Sequence, residues 1–271
     1  MLLSVGTVVI EYENYIVMLT MVLWGVGTFL EVLVLARGYQ QRLLSGFPIF
    51  YGYLLFVAIG EFVRFFAYRW SPDYYYYRVY WVTQFLGLAI GSLIIFEIYR
   101  VALRSFPGTA KMARWMLLLV FGAIFARSFT NSAGGVFAWF AQTTVELERN
   151  LRVVQALAIL TLVFLFFWYA IPFGRNLKGI LVGYGLFIGM SIARFVLWYH
   201  LWDKIKPYWT DLGAVTFLLV LCVWAVSLWS AQPAPQLKPE IRLEQDYELL
   251  VASTRDQFRR TLTRLGWAAR G

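Results

Sequence analysis

Long apolar stretches separated by short polar connections dominate this sequence of 271 residues. A run of 18 or more apolar residues is long enough for a helix to cross the hydrocarbon core of a bilayer, which is ~30 Å thick. The pattern therefore predicts an all-α fold, a polytopic membrane protein with a bundle of seven transmembrane helices within residues 1–231. The predicted spans cover residues 15–36, 47–68, 79–100, 113–130, 153–172, 177–199 and 210–230.

Residues 232–271 have a different pattern from the spans. A linker rich in proline is followed by a predicted amphipathic helix at 240–267, acidic in its first half and basic in its second. This C-terminal helix is expected to lie on the cytoplasmic membrane surface or to contact a protein partner. Its apolar positions recur at spacings of three and four: Leu243, Tyr247, Leu250, Thr254, Phe258, Leu262 and Leu265.

Basic residues are distributed unevenly between the two sides of the predicted bundle. Two lie in the connection between spans one and two, four between spans three and four, two between spans five and six, and seven in the tail, which makes 15. The opposite side has six. Because cytoplasmic loops carry an excess of Lys and Arg, the N-terminus is predicted outside and the C-terminus in the cytoplasm.

Aromatic residues support the same sidedness. Tyr and Trp are concentrated at 74–81 and 198–209, and these residue types prefer the headgroup layer of a membrane. Residues 131–150 are predicted to form the longest outer loop. Within this loop, the stretch GGVFAWFAQ is expected to form a short helix in the interface.

The composition agrees with a membrane protein, since 61% of the residues are hydrophobic and 14% are charged. Soluble domains carry about 25% charged residues. The net charge of +9 would favour nucleic-acid binding in a soluble protein. In a membrane protein it is explained by basic residues that face the cytoplasm and its anionic lipids. The expected partner is the lipid bilayer, not nucleic acid. A single cysteine, Cys222, and a single histidine, His200, predict no intrachain disulfide, no metal site and no cofactor.

A weak internal repeat relates spans two, four and six. Each has a glycine four or five residues before an arginine near its outer end, which favours a helix pair used three times. The alternative is convergence, because any outward-going helix can end in an interfacial arginine. The residues concerned are Gly60 and Arg64, Gly122 and Arg127, and Gly189 and Arg194.

Charged residues within the spans have two main interpretations, because such residues are costly in a membrane and usually face the bundle interior. They either pair and hold helices together, or converge on a polar ligand. Ion or proton translocation is a third possibility, although only Glu61 approaches the mid-membrane depth. The expected ion pairs are Glu61–Arg64, Glu97–Arg100, Glu146–Arg149 and Glu148–Arg152. The candidate ligand-binding residues in the outer half are Glu61, Arg64, Gln84, Arg127, Arg149, Arg152, Gln155 and Arg194.

No catalytic motif occurs in the sequence, which contains neither HExxH nor GxSxG. We therefore predict a non-enzymatic sensor or accessory protein with a pocket for a small or lipidic ligand in the outer half of the bundle. It would contact a cytoplasmic protein partner through its inner loops or tail. The alternatives are a small-solute transporter built from the repeated helix pairs and a membrane scaffold with no ligand.

Several segments across residues 40–230 carry a family resemblance. They are GFPIFYGYLLF entering span two, YYYRVYW at span three, FEIYRVALRSFPG leaving it, and LERNLRVVQ entering span five. The chain resembles a family of seven-helix integral membrane proteins of Acidobacteria for which no activity is established. The resemblance implies a bacterial origin and a multi-pass protein of the inner membrane. It implies no functional residues.

Overall fold

The computed structural model describes residues 2–128, 136–169, 171–172, 174–206, 209–232 and 243–268. Within these ranges the chain is all-α, as predicted, and has no β-strand. A single 3₁₀ turn, Leu43–Ser45, lies between the first two helices. The α-helices are α1 (Leu2–Gln40), α2 (Pro48–Trp70), α3 (Asp73–Ala102), α4 (Pro107–Ser128), α5 (Val136–Trp168), α6 (Arg175–Ile205), α7 (Trp209–Ser227) and α8 (Leu243–Ala268).

Six of these helices, α1 to α6, contain segments long and apolar enough to cross a membrane. Their outer faces expose large apolar side chains, such as Phe167 at 85% and Leu119 at 71%. Such surfaces are stable against lipid rather than water, and helices satisfy their own backbone hydrogen bonds there. The chain is therefore a multi-pass helical membrane protein. The apolar part of α7, Asp211–Ser227, is shorter than the other six.

The first seven helices form a closed ring. Each helix contacts the next one in the sequence, and α7 returns to contact α1. Within this ring α3 lies furthest inward, because it also contacts α5 and α6. Between α6 and α7 the packing is close, because a Cβ atom at Gly183 would overlap the Trp224 indole and one at Gly179 would overlap Ser227. Small residues permit such close approach of membrane helices.

The start of α5 corrects one sequence prediction. Instead of a separate interfacial helix followed by a span at 153–172, the structure has one continuous helix from Val136 to Trp168. No glycine or proline interrupts this range, and buried residues continue at helical spacing through Ala141, Leu147 and Leu151. Residues 131–135 of the predicted loop, and the last two residues of predicted span four, lie outside the described residues. The longer helix places the partly buried Glu148 and the buried Arg152 inside the bundle, whereas Glu146 and Arg149 stay exposed.

The C-terminal helix α8 begins three residues after the start predicted for it. It lies beside α4, and the Tyr169 hydroxyl after α5 donates a hydrogen bond to the Asp246 carboxylate at 2.9 Å. The linker residues 233–242 lie outside the described part of the chain. Association of α8 with the membrane surface therefore stays a prediction.

Candidate ligand cavity and the buried polar residues beneath it

A cavity of about 430 Å³ opens at the predicted outer end of the bundle, between α3, α5, α6 and α7. Helical spacing explains its composition, since residues three or four apart on one helix share a face. The size and the mixture of aromatic with few polar groups are typical of small-molecule sites. The lining residues are Tyr80, Trp81, Gln84, Val145, Glu148, Ser191, Arg194, Phe195, Trp198 and Trp209.

Arg194 is the positively charged side chain in the cavity lining. Its guanidinium lies 4.5 Å from the ring centroid of Trp209, a cation–π distance. The buried Nε atom has no hydrogen-bond partner among the described residues, and no described carboxylate lies within the 4.0 Å of an ion pair. A Cβ atom on Gly213 would lie 2.9 Å from Nη1. The glycine therefore makes room for the arginine head.

Glu148 is the acidic residue of the cavity, and its charge is already compensated. Oε2 accepts a hydrogen bond from Gln84 Nε2 at 3.2 Å, and Oε1 accepts one from Arg152 Nη2 at 3.4 Å. The predicted Glu148–Arg152 pair is thus present in the structure, one helical turn apart on α5. The charges of Glu148 and Arg152 cancel, so the net charge at the cavity is the single positive charge of Arg194.

Below the cavity, a line of hydrogen-bonded side chains reaches the centre of the bundle. Arg152 is 5% exposed and donates from Nη1 to Gln155 Oε1 at 3.2 Å. Gln155, 1% exposed, donates from Nε2 to Ser92 Oγ at 3.2 Å. The Ser92 hydroxyl in turn donates to the Leu88 carbonyl at 2.8 Å. These contacts tie α5 to α3 and hold the Arg152 head under the cavity floor.

Glu61 and Arg64 do not form the ion pair that their spacing predicts. Arg64 Nε donates to Thr83 Oγ1 of α3 at 2.7 Å, whereas Glu61 lies beside Trp24 and Thr28 of α1. The reason is geometric, since α2 contacts both α1 and α3 and each side chain faces a different neighbour. Neither residue lines the cavity.

Some of the other predicted residues lie at the cavity and some do not. Arg127 and Arg149 are exposed and lie outside the cavity lining. Arg149 and Glu146 are not within ion-pair distance in the described structure. Of the eight candidate ligand-binding residues, Gln84 and Arg194 line the cavity, and Arg152 and Gln155 lie directly beneath it.

The Glu97–Arg100 pair is present at 3.3 Å and has a structural role. The Glu97 carboxylate also accepts backbone hydrogen bonds from Ile49 at 2.9 Å and Phe50 at 2.7 Å. These N–H groups belong to the first turn of α2, where no intrahelical acceptor exists. Glu97, on α3, therefore caps the start of α2. This favours the interpretation that the Glu97–Arg100 pair holds helices together.

Three buried or partly buried polar residues were not among the candidates from the sequence. Tyr184 donates to the Gly91 carbonyl at 2.5 Å, and Ser191 lines the cavity; single hydroxyls in apolar segments give little signal. Glu31 is fully buried, and neither carboxylate oxygen has a partner among the described residues. A carboxylate within an apolar span was a visible signal for Glu31.

Comparison of the chain with protein-family models, curated protein sequences and solved structures finds no match.

Proposed function

We propose that this chain is a non-enzymatic sensor or accessory protein that binds a small organic anion in the outer cavity. The observation that carries the proposal is Arg194, a partly buried cation without a described carboxylate partner in a cavity lined with aromatic rings. A ligand carboxylate would complete its hydrogen bonds, and an apolar or aromatic body would contact Tyr80, Trp81 and Trp198.

The proposal includes a seven-span topology in a bacterial inner membrane, with the N-terminus outside and the tail in the cytoplasm. Support for the seventh span comes from the position of α7, which closes the ring between α6 and α1. Its 19 residues correspond to a length of about 28 Å, close to the bilayer core. The distribution of basic residues supports the sidedness, and the acidobacterial resemblance supports the inner membrane.

The polar line beneath the cavity favours binding over transport. It ends near Ser92, and the next turn toward the predicted inner end buries Ile94, Ile98, Leu221 and Trp224 at 0–1% exposure. The buried Glu97 of this turn is bound by the backbone at the start of α2. A solute path would need polar groups that are not already engaged in this way. Binding at the outer end can instead reach the inner loops and the cytoplasmic partner through shifts of packed helices.

A ligand screen on the purified protein in nanodiscs tests this proposal. Small aliphatic and aromatic carboxylates are compared with their neutral amides by the change in melting temperature. We expect a carboxylate, but not its amide, to stabilise the wild type. Arg194→Gln should weaken the binding about tenfold or more, because a charge-assisted hydrogen bond is lost.

Arg149→Gln is the matched control, since it removes an exposed arginine on α5 that does not line the cavity. It should bind like the wild type. Equal weakening in both variants, or no anion that stabilises the wild type, would overturn the ligand-binding proposal and favour a scaffold. Uptake of the bound anion into proteoliposomes would instead identify a transporter.

A further inference from the structure

A second cavity, of about 560 Å³, lies at the opposite end of the bundle. It is bordered by the connections between α1 and α2, between α3 and α4, and between α5 and α6. None of the residues in its lining was selected as a ligand-binding residue from the sequence. Its polar lining includes Ser45, Arg100, Arg104, Ser105, Asn176 and Gln232.

Asn176 lines this cavity and has unsatisfied polar atoms. The side chain is 5% exposed, and neither its amide nitrogen nor its amide oxygen has a hydrogen-bond partner among the described residues. Buried polar groups in folded proteins are almost always hydrogen-bonded, so an orphaned amide requires an explanation. A bound group in the cavity that Asn176 lines would supply the missing partner.

The charge around Asn176 is positive. Arg104 is exposed at the cavity, and Arg100 keeps half of its side chain exposed while one nitrogen contacts Glu97. No acidic side chain of the described residues lines the cavity. Asn176 is also the second residue of α6, and the unpaired N–H groups of a helix start attract anions.

The rest of the wall is apolar, with Leu43, Phe47, Phe106, Phe166 and Ile171. An amphiphile with an anionic head fits this combination better than a fully hydrated ion does. Basic pockets between membrane helices on the cytoplasmic side bind the phosphate-containing heads of lipids. Two arginine heads with several N–H donors each match the oxygen atoms of a phosphate.

We propose that this inner cavity binds a phosphate group, carried either by an anionic phospholipid or by a soluble phosphate. Arg100, Arg104, Asn176 and the start of α6 would be its donors. The site is separate from the outer cavity, and the inference uses the sidedness proposed above but not the proposed ligand binding.

Native mass spectrometry of the full chain tests the lipid source. The protein is reconstituted with phosphatidylcholine and phosphatidylglycerol, extracted in detergent, and the retained lipid is counted. We expect one retained phosphatidylglycerol in the wild type. Arg104→Gln and Asn176→Ala should each lower its retention about fivefold.

Arg114→Gln is the matched control, because Arg114 is exposed at the same end of the bundle but does not line the cavity. It removes the same charge and should leave retention unchanged. If Asn176→Ala fails to fold, the exposed Arg104 still gives the comparison. A second arm titrates inorganic phosphate against chloride at equal ionic strength and follows the melting temperature.

The outcomes are distinct. Selective loss of phosphatidylglycerol in Arg104→Gln identifies a lipid site. Stabilisation by phosphate without lipid retention, again lost in Arg104→Gln, identifies a site for a soluble phosphate. If neither ligand distinguishes Arg104→Gln from Arg114→Gln, the proposal is wrong.

Discussion

Removal of either partner from the buried Glu148–Arg152 pair should destabilise the protein as much as removal of both. Arg152→Met deletes two hydrogen bonds, at 3.2 Å to Gln155 and 3.4 Å to Glu148, and also the contact of the guanidinium with the Phe187 ring at 4.6 Å. Glu148→Gln leaves the arginine cation buried without its counter-charge. In the double variant no buried charge is left unpaired.

The magnitude follows from the geometry. Breaking a buried ion pair by removing one partner costs about 3–5 kcal/mol. Here the lower end applies, because the 3.4 Å contact is long and the Glu148 side chain is 21% exposed to the cavity. We expect about 3 kcal/mol for each single variant and about 3 kcal/mol for the double variant, since methionine adapts to the space that arginine leaves. The coupling free energy is then about 3 kcal/mol.

Equilibrium unfolding in mixed micelles of dodecyl maltoside and dodecyl sulfate, followed by circular dichroism, measures these free energies. Glu146→Gln and Arg149→Met form the control cycle, since both residues are exposed on the same helix and are not within ion-pair distance. Their coupling should be near zero. A Glu148–Arg152 coupling within about 0.5 kcal/mol of the control cycle would refute the reasoning that the pair acts as a unit.

Three further predictions concern other parts of the molecule. Glu31→Met should raise the free energy of unfolding by about 1–2 kcal/mol, because the buried carboxylate has no partner among the described residues; a loss of stability in micelle unfolding would contradict this. A cysteine at Ser105 should react with an impermeant thiol reagent only after the inner face is opened, whereas one at Ser71 should react in intact spheroplasts, and the reverse pattern would contradict the topology. A peptide of residues 240–267 should become helical on anionic vesicles and bind less in high salt, whereas identical circular dichroism with and without vesicles would argue against surface binding.

The spans could be predicted from the sequence because lipid leaves few alternatives to a helix. Pro48 stands at the start of α2, as proline preference predicts, whereas α4 begins at Pro107, six residues before the predicted start of span four. The start predicted for the fifth span was wrong because the aromatic residues at 136–141 resemble an interfacial segment. Their composition alone does not distinguish a surface helix from the first turns of a long span.

Pairing partners could not be predicted from spacing alone. Three pairs with i,i+3 spacing were expected, and only Glu97–Arg100 forms. Glu61 and Arg64 differ because α2 stands between two helices, and each side chain meets a different one. Spacing determines which side chains of one helix can reach each other, whereas the neighbouring helices determine which of the possible contacts form. The position of the neighbouring helices depends on tertiary packing, which a hydropathy pattern does not contain.

Helix α6 connects the two cavities physically. It contributes Arg194 to the outer cavity and Asn176 to the inner one, and 18 residues of helix separate them by about 27 Å. Between these residues, Gly179 and Gly183 bring α6 close against Ser227 and Trp224 of α7. A packed interface of this kind moves as a body rather than deforming gradually. A ligand that shifts α6 at Arg194 would therefore change the inner cavity as well, which gives the sensor proposal a structural route from one membrane face to the other.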